Sequence, residues 1–128
     1  MTEDELTSEV LAYIRKNNNV SFAELARKWP DYFRGGDRGI VLDKYDNIVL
    51  WDGLTEMACA VYHRVMKEPD IEMHPTAILV YLVDGSMLRM PVAKRAVQYK
   101  KPHWLPCVLR LKGKQPHKRP KMPKTTAE

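Results

Sequence analysis

The sequence has only two cysteines, Cys59 and Cys107, and no long hydrophobic run in its 128 residues. Two cysteines cannot form the disulfide framework of a small secreted domain, so we expect a reducing, cytoplasmic location. No apolar stretch approaches the roughly 18 residues that cross a bilayer, and we expect neither a membrane-spanning segment nor a membrane partner. The N-terminal residues 1–10 are acidic and polar, so no secretory signal is expected there.

Acidic residues are nearly absent from the C-terminal third of the chain. Residues 85–128 contain 12 Lys and Arg but a single acid, Glu128, which gives a net charge of +11. Residues 1–84 contain 9 Lys and Arg and 15 Asp and Glu, which gives a net charge of −6. A basic segment attached to an acidic body indicates that the segment meets a polyanion. The alternative is a solvated tail that only keeps the protein soluble.

Motifs of catalysis and metal binding are also missing. The chain contains neither a Gly-x-Ser-x-Gly nor a His-Glu-x-x-His sequence, so we predict no enzyme and no catalytic residues. Cys59 and His63 are four residues apart, as are His103 and Cys107, and this spacing can place two ligands on one face of a helix. Because no Cys-x-x-Cys pair accompanies them, we predict no metal site and no cofactor.

The sequence does have the composition of a folded domain, with 45 % hydrophobic and 29 % charged residues. An apolar stripe at helical spacing over residues 4–16 predicts a first helix, which Thr2 and Glu5 would begin as a capping box. Ser21 and Glu24 repeat this spacing at the start of a second, shorter helix. Pro30 ends that helix and opens at most one further helical turn.

A β-hairpin and a third helix are predicted next. Residues 40–42 and 48–51 are β-rich runs that flank a polar loop, which is typical of a hairpin. The glycine-rich residues 35–39 lack the Gly-Lys-Ser/Thr ending of a phosphate-binding loop and predict a tight turn into this hairpin. Residues 54–67 have an apolar face at helical spacing and predict a connecting helix.

The continuously apolar residues 77–83 predict a strand that is buried on both faces or covered by a partner subunit. A homodimer is therefore a reasonable companion hypothesis. The Asp84-Gly85 pair that follows predicts a second hairpin, with residues 87–92 as its other strand. Residues 107–111 predict a last strand.

The order of helix, capped helix, irregular segment and hairpin over residues 4–51 resembles a winged helix-turn-helix. The resemblance implies that a recognition helix enters the major groove of DNA and that the hairpin, or wing, contacts the backbone or the minor groove. In this chain the glycine-rich residues 30–39 occupy the position of the recognition helix. We therefore expect weak sequence specificity.

Three basic residues near the recognition segment and the wing are candidate phosphate contacts, namely Arg34, Arg38 and Lys44. The alternative is that the two arginines pair with Asp31 and Asp37 beside them. The sequence leaves both interpretations open.

The basic third of the chain supplies the remaining candidates. Cations alternate there with Tyr99 and Trp104, and this pattern suits a single strand whose phosphates take the charge and whose bases stack on rings. The alternative is that Tyr99 and Trp104 are both core residues, and for Trp104 this interpretation is favoured because apolar residues surround it. The candidate nucleic-acid-binding residues of this part are Lys94, Arg95, Lys100, Lys101, Lys112, Lys114, Lys118, Arg119, Lys121 and Lys124.

These patterns predict an α+β protein in three parts. Residues 1–70 would form a winged-helix-like module with its connecting helix, residues 71–111 a β-hairpin unit packed on it, and residues 112–128 a disordered basic tail. The function that fits is non-enzymatic nucleic-acid binding of low sequence specificity, with DNA favoured over RNA. A small regulator or replication accessory factor of a bacterium or phage would have this size. The alternative is a winged-helix adaptor that binds a protein partner.

Overall fold

A computed structural model describes residues 1–113 of the chain, which form five helices and six strands. The helices are α1 (Glu3–Asn17), α2 (Phe22–Lys28), α3 (Pro30–Phe33), α4 (Glu56–Val65) and α5 (Ile78–Asp84). The strands are β1 (Val20–Ser21), β2 (Arg38–Val41), β3 (Ile48–Leu54), β4 (Ile71–Pro75), β5 (His103–Trp104) and β6 (Cys107–Leu111). The protein is α+β, as predicted. Within this range, no helix has the length and the apolar character needed to cross a membrane.

The strands form two small sheets of three strands each. One sheet is antiparallel and has the order β1-β6-β4. The other has the order β2-β3-β5, in which β2 and β3 form the predicted hairpin and β5 pairs in parallel with β3. Because β5 and β6 follow each other closely in the chain, residues 103–111 link the two sheets.

Side-chain caps begin the helices where the sequence predicts them. The Thr2 hydroxyl accepts the Glu5 N–H at 3.1 Å, and the Glu5 carboxylate accepts the Thr2 N–H at 2.7 Å, which completes the capping box of α1. Ser21 accepts the Glu24 N–H at 3.0 Å and so caps α2. Each bond satisfies a backbone donor that the first turn of a helix leaves without an intrahelical partner.

Aromatic rings occupy the centre of the core. Trp104 and Tyr81 are fully buried and meet edge to face, with centroids 4.9 Å apart, and Trp51 lies 5.3 Å from Tyr81. The Tyr81 hydroxyl donates a hydrogen bond to the Cys107 carbonyl at 2.6 Å and accepts one from the Phe22 N–H at 3.1 Å. One side chain of α5 therefore joins β6 to the start of α2, and the interpretation of Trp104 as a core residue is confirmed.

The prediction of a buried strand at residues 77–83 is wrong, because this segment forms α5. Its outer face carries Leu79, Leu82 and Val83, which are 63 %, 54 % and 75 % exposed. These positions follow the i, i+3, i+4 spacing of one helix face, while Tyr81 points into the core. A short apolar run without alternation fits either a strand or a helix, and here the burial of Tyr81 decides for the helix.

The second predicted hairpin is wrong for a related reason. Gly85 has φ 96° and ends α5 as a left-handed cap, and its N–H donates to the Tyr81 carbonyl at 2.9 Å. Glycine suits this position just as it suits a hairpin turn, so the Asp84-Gly85 pair is compatible with both a helix end and a hairpin. Residues 87–92 form no strand and make a single isolated bridge, between Val92 and Trp104.

Candidate nucleic-acid interface

The segment between Ala93 and β5 is a closed loop that carries four cations and no acid. The Ala93 N–H donates to the Trp104 carbonyl at 2.7 Å, and the Trp104 N–H donates to the Pro91 carbonyl at 2.8 Å. These bonds bring the two ends of the segment together against the buried Trp104 ring. We call residues 94–102 the basic loop, and its cations are Lys94, Arg95, Lys100 and Lys101.

The basic loop packs against the tip of the first hairpin, which we define as residues 42–47. The His103 N–H donates to the Asn47 carbonyl at 2.8 Å, and the Asn47 side-chain amide donates to the Tyr99 carbonyl, also at 2.8 Å. The Gln98 amide lies 3.3 Å from the Asp46 carboxylate. Lys44, which lies in the hairpin tip, is therefore at the same end of the molecule as the basic loop.

Positive charge at this end has no carboxylate partner. All four cations of the basic loop are exposed, as is Lys44, and none of the five makes an ion pair within the described part of the chain. Several arginines elsewhere are paired, among them Arg15 with Glu68 and Asp70, Arg64 with Glu3 and Asp4, and Arg110 with Glu72. Two acids, Asp43 and Asp46, reduce the formal charge of the loop and the tip together to +3.

Two partly exposed rings lie at the end of the basic loop. Tyr99 and His103 are stacked, with centroids 3.9 Å apart and an interplanar angle of 14°. The Tyr99 hydroxyl donates to the Arg95 carbonyl at 3.1 Å, and the His103 Nδ1–H donates to the Lys101 carbonyl at 2.9 Å. Hydrogen bonds to the loop backbone therefore hold both rings in place.

The structure separates the three candidates predicted near the wing. Arg38 begins β2, a strand of four residues and about 13 Å, and so lies at the opposite end of the hairpin from Lys44. It lies 3.7 Å from Asp37, as the pairing alternative expected, and 3.6 Å from Glu56, which was not predicted. Arg34 is exposed and makes no ion pair with its neighbour Asp31 among residues 1–113.

Lys112 also lies apart from the basic loop. Its N–H donates to the Asp70 carbonyl at 2.9 Å, just beyond the end of β6 and beside the pair that Arg15 makes with Asp70. Most of the predicted disordered tail falls outside the described residues. The remaining candidates fall outside them too, namely Lys114, Lys118, Arg119, Lys121 and Lys124. Of the candidate residues predicted from the sequence, the structure brings together Lys44 and the four cations of the basic loop.

Sequence reasoning missed the residues that hold this arrangement together. Asn47 and Gln98 carry no motif, and their partners are about 50 positions away in the chain. The stacking of His103 on Tyr99 was not predicted either, although a spacing of four residues next to a proline-containing turn keeps them close. Tyr45, whose ring centroid lies 5.5 Å from the Lys44 ammonium, is a further aromatic neighbour.

The cysteines and histidines do not form a metal centre in the described range. Residues 1–113 contain no group of three or more His, Cys, Asp or Glu side chains that could hold a metal ion. Cys107 is buried, and burial raises the pKa of its thiol to about 12 because a thiolate would be poorly solvated there. This thiol is therefore protonated at neutral pH.

No family model matches the chain, and no curated protein or solved structure matches it. Its function is therefore inferred from its own residues.

Proposed function

We propose that the protein binds nucleic acid without catalysing a reaction, through the surface that the basic loop forms with the hairpin tip. The observation that carries this proposal is the concentration of five exposed cations without carboxylate partners at one end of the molecule. Phosphates would neutralise these cations and release their own counterions, which is the main source of affinity in such complexes. The paired arginines elsewhere contribute less, because their charge is already compensated.

Low sequence specificity follows from the short helices around the hairpin. The helix at the position of a winged-helix recognition element, α3, has four residues, and its Phe33 side chain is buried. One turn of helix presents too few outward side chains to read several base pairs in a major groove. We take DNA as the first ligand to test, because the element order over residues 4–51 resembles DNA-binding winged helices.

The proposal is tested by fluorescence anisotropy of labelled DNA with the full chain and two matched double variants. One variant carries Lys100→Gln and Lys101→Gln in the basic loop. The control carries Lys16→Gln in α1 and Lys67→Gln in the turn after α4, which remove the same charge from exposed lysines that make no ion pair within residues 1–113. All three proteins keep the cations of residues 114–128, so any contribution of that segment is common to them.

The loop variant is expected to bind more weakly and with less dependence on salt. Two lost phosphate contacts lower the slope of log affinity against log salt by about 1.4 for single strands and about 1.8 for duplexes. Raising the salt from about 50 to 200 mM would then weaken the loop variant roughly tenfold less than the wild type. Equal salt slopes for the loop variant and the control would contradict the proposal, as would a wild type that binds no DNA.

One observation favours the alternative of a protein-binding adaptor. The outer face of α5 exposes Leu79, Leu82 and Val83, and contiguous apolar surface of this kind is typical of protein contacts. An adaptor would retain its partner when Lys100 and Lys101 are neutralised, whereas the proposed binding of nucleic acid would be weakened. The homodimer stays a prediction, which sedimentation equilibrium of the full chain would test.

A further inference from the structure

The stacked rings of Tyr99 and His103 lie among the cations of the proposed contact surface. Lys100 and Lys101 follow Tyr99 directly in the chain, and the Tyr99 hydroxyl is bonded to the backbone of Arg95. Both rings remain partly exposed, in contrast to the fully buried Trp104 next to them. A partly exposed aromatic pair in a loop with four unpaired cations has the two components that bind an unpaired nucleotide, a ring for the base and charge for the flanking phosphates.

We infer that the ligand of this surface is a single-stranded nucleic acid, one base of which stacks on the Tyr99–His103 pair. The inference rests on the proposed function and adds the substrate class to it. A duplex keeps its bases stacked inside the helix, so it could use the cations of the basic loop but not the rings. A single strand can use both.

The ring pair is already arranged for this contact before a ligand arrives. The hydrogen bonds of Tyr99 to Arg95 and of His103 to Lys101 hold the ring edges on the loop backbone. Asn47 fixes the same loop to the hairpin tip through the Tyr99 carbonyl. A base would therefore meet a surface that needs little further ordering, which lowers the entropic cost of binding.

The test combines substitutions of the Tyr99 ring with nucleic-acid probes that either carry or lack exposed bases. Three full-length proteins are compared, the wild type, Tyr99→Phe and Tyr99→Leu. Phenylalanine keeps the ring and loses only the hydroxyl bond to Arg95, whereas leucine keeps apolar bulk and loses the aromatic face. The labelled probes are an oligothymidylate of about 16 nucleotides, a strand of equal length that lacks its bases, and a duplex of equal length.

We expect the wild type and Tyr99→Phe to bind the oligothymidylate about five- to tenfold more tightly than the strand without bases. For Tyr99→Leu this preference is expected to shrink severalfold, while its affinity for the strand without bases and for the duplex stays unchanged. A loop that merely became less ordered would weaken all three complexes alike. The effect of leucine on the oligothymidylate alone is therefore the signature of stacking.

Two outcomes overturn the inference and are distinguishable from failure of the proposed function. If the wild type binds the strands with and without bases equally, or if Tyr99→Leu weakens both by the same factor, no base stacks on the pair, although salt-dependent binding still stands. If the wild type binds none of the three probes, the proposed function itself fails.

Discussion

The Tyr81 hydroxyl offers a sharp test of how the core is assembled. Tyr81 is fully buried, and its hydroxyl joins the Cys107 carbonyl at 2.6 Å to the Phe22 N–H at 3.1 Å. Phe22 is the first residue of α2, where the backbone N–H has no partner within the helix. The substitution Tyr81→Phe removes one oxygen atom and leaves the packing of the ring on Trp51 and Trp104 in place.

The substitution deprives two backbone groups, the Phe22 N–H and the Cys107 carbonyl, of their hydrogen bond to the Tyr81 hydroxyl, and the expected loss of stability follows from this. A buried donor or acceptor that loses its partner costs about 1–3 kcal/mol. For the Phe22 N–H and the Cys107 carbonyl together, we expect the free energy of unfolding to fall by about 2–4 kcal/mol. For a two-state domain of this size, that corresponds to a decrease in Tm of about 7–15 °C.

Urea unfolding followed by tryptophan fluorescence measures this change, since Trp104 packs against Tyr81. The matched control is Tyr99→Phe, which removes a hydroxyl from a partly exposed ring whose acceptor, the Arg95 carbonyl, remains open to water. We expect the control to lie within about 0.5 kcal/mol of the wild type. A Tyr81→Phe protein as stable as the control, with an unchanged urea slope, would refute the bridging role of the hydroxyl.

Two further predictions concern a close backbone approach and alkaline pH. Gly36→Ala would place its Cβ 2.1 Å from the Leu54 carbonyl oxygen, and we expect urea unfolding to show a free energy of unfolding lower by about 3 kcal/mol. The control is Gly39→Ala, whose Cβ meets a rotatable Asp52 oxygen at 3.2 Å and which we expect to lower the free energy of unfolding by under about 1 kcal/mol. Burial raises the pKa of Cys107 from 9.0 to about 12, so between these pH values the unfolded chain loses the thiol proton while the folded protein keeps it. The contribution of Cys107 to the free energy of unfolding is therefore unchanged below pH 9 and decreases between pH 9 and 12, by up to about 1.4 kcal/mol per pH unit. Parallel stability profiles for the wild type and Cys107→Ala over this range would contradict the second prediction.

Features that depend on neighbouring residues could be predicted from the sequence. The caps at Thr2 and Ser21 each join residues three positions apart, and the first hairpin joins two strands through a short loop. The single turn opened by Pro30 is equally local. In each case the physical cause lies within a few positions, so the residue pattern alone contains it.

The run at residues 77–83 shows where local pattern stops being sufficient. Its apolar residues fit a strand as well as a helix, and what decides between them is the contact of Tyr81 with Cys107 and Phe22, which lie 26 and 59 positions away. The placement of the basic candidates has the same origin. The bond between Asn47 and Tyr99 spans 52 positions, and this contact holds the basic loop against the hairpin tip that carries Lys44.

By itself, the sequence therefore determined the starts of the first helices, the first hairpin and the strong separation of acidic and basic charge along the chain. Only the tertiary structure decided the form of residues 77–83, the stacking of His103 on Tyr99 and the grouping of the unpaired cations. The physical reason is that helix caps and turns are made by groups a few positions apart. The grouping of the cations instead depends on hydrogen bonds and packing between distant segments, which no local spacing records.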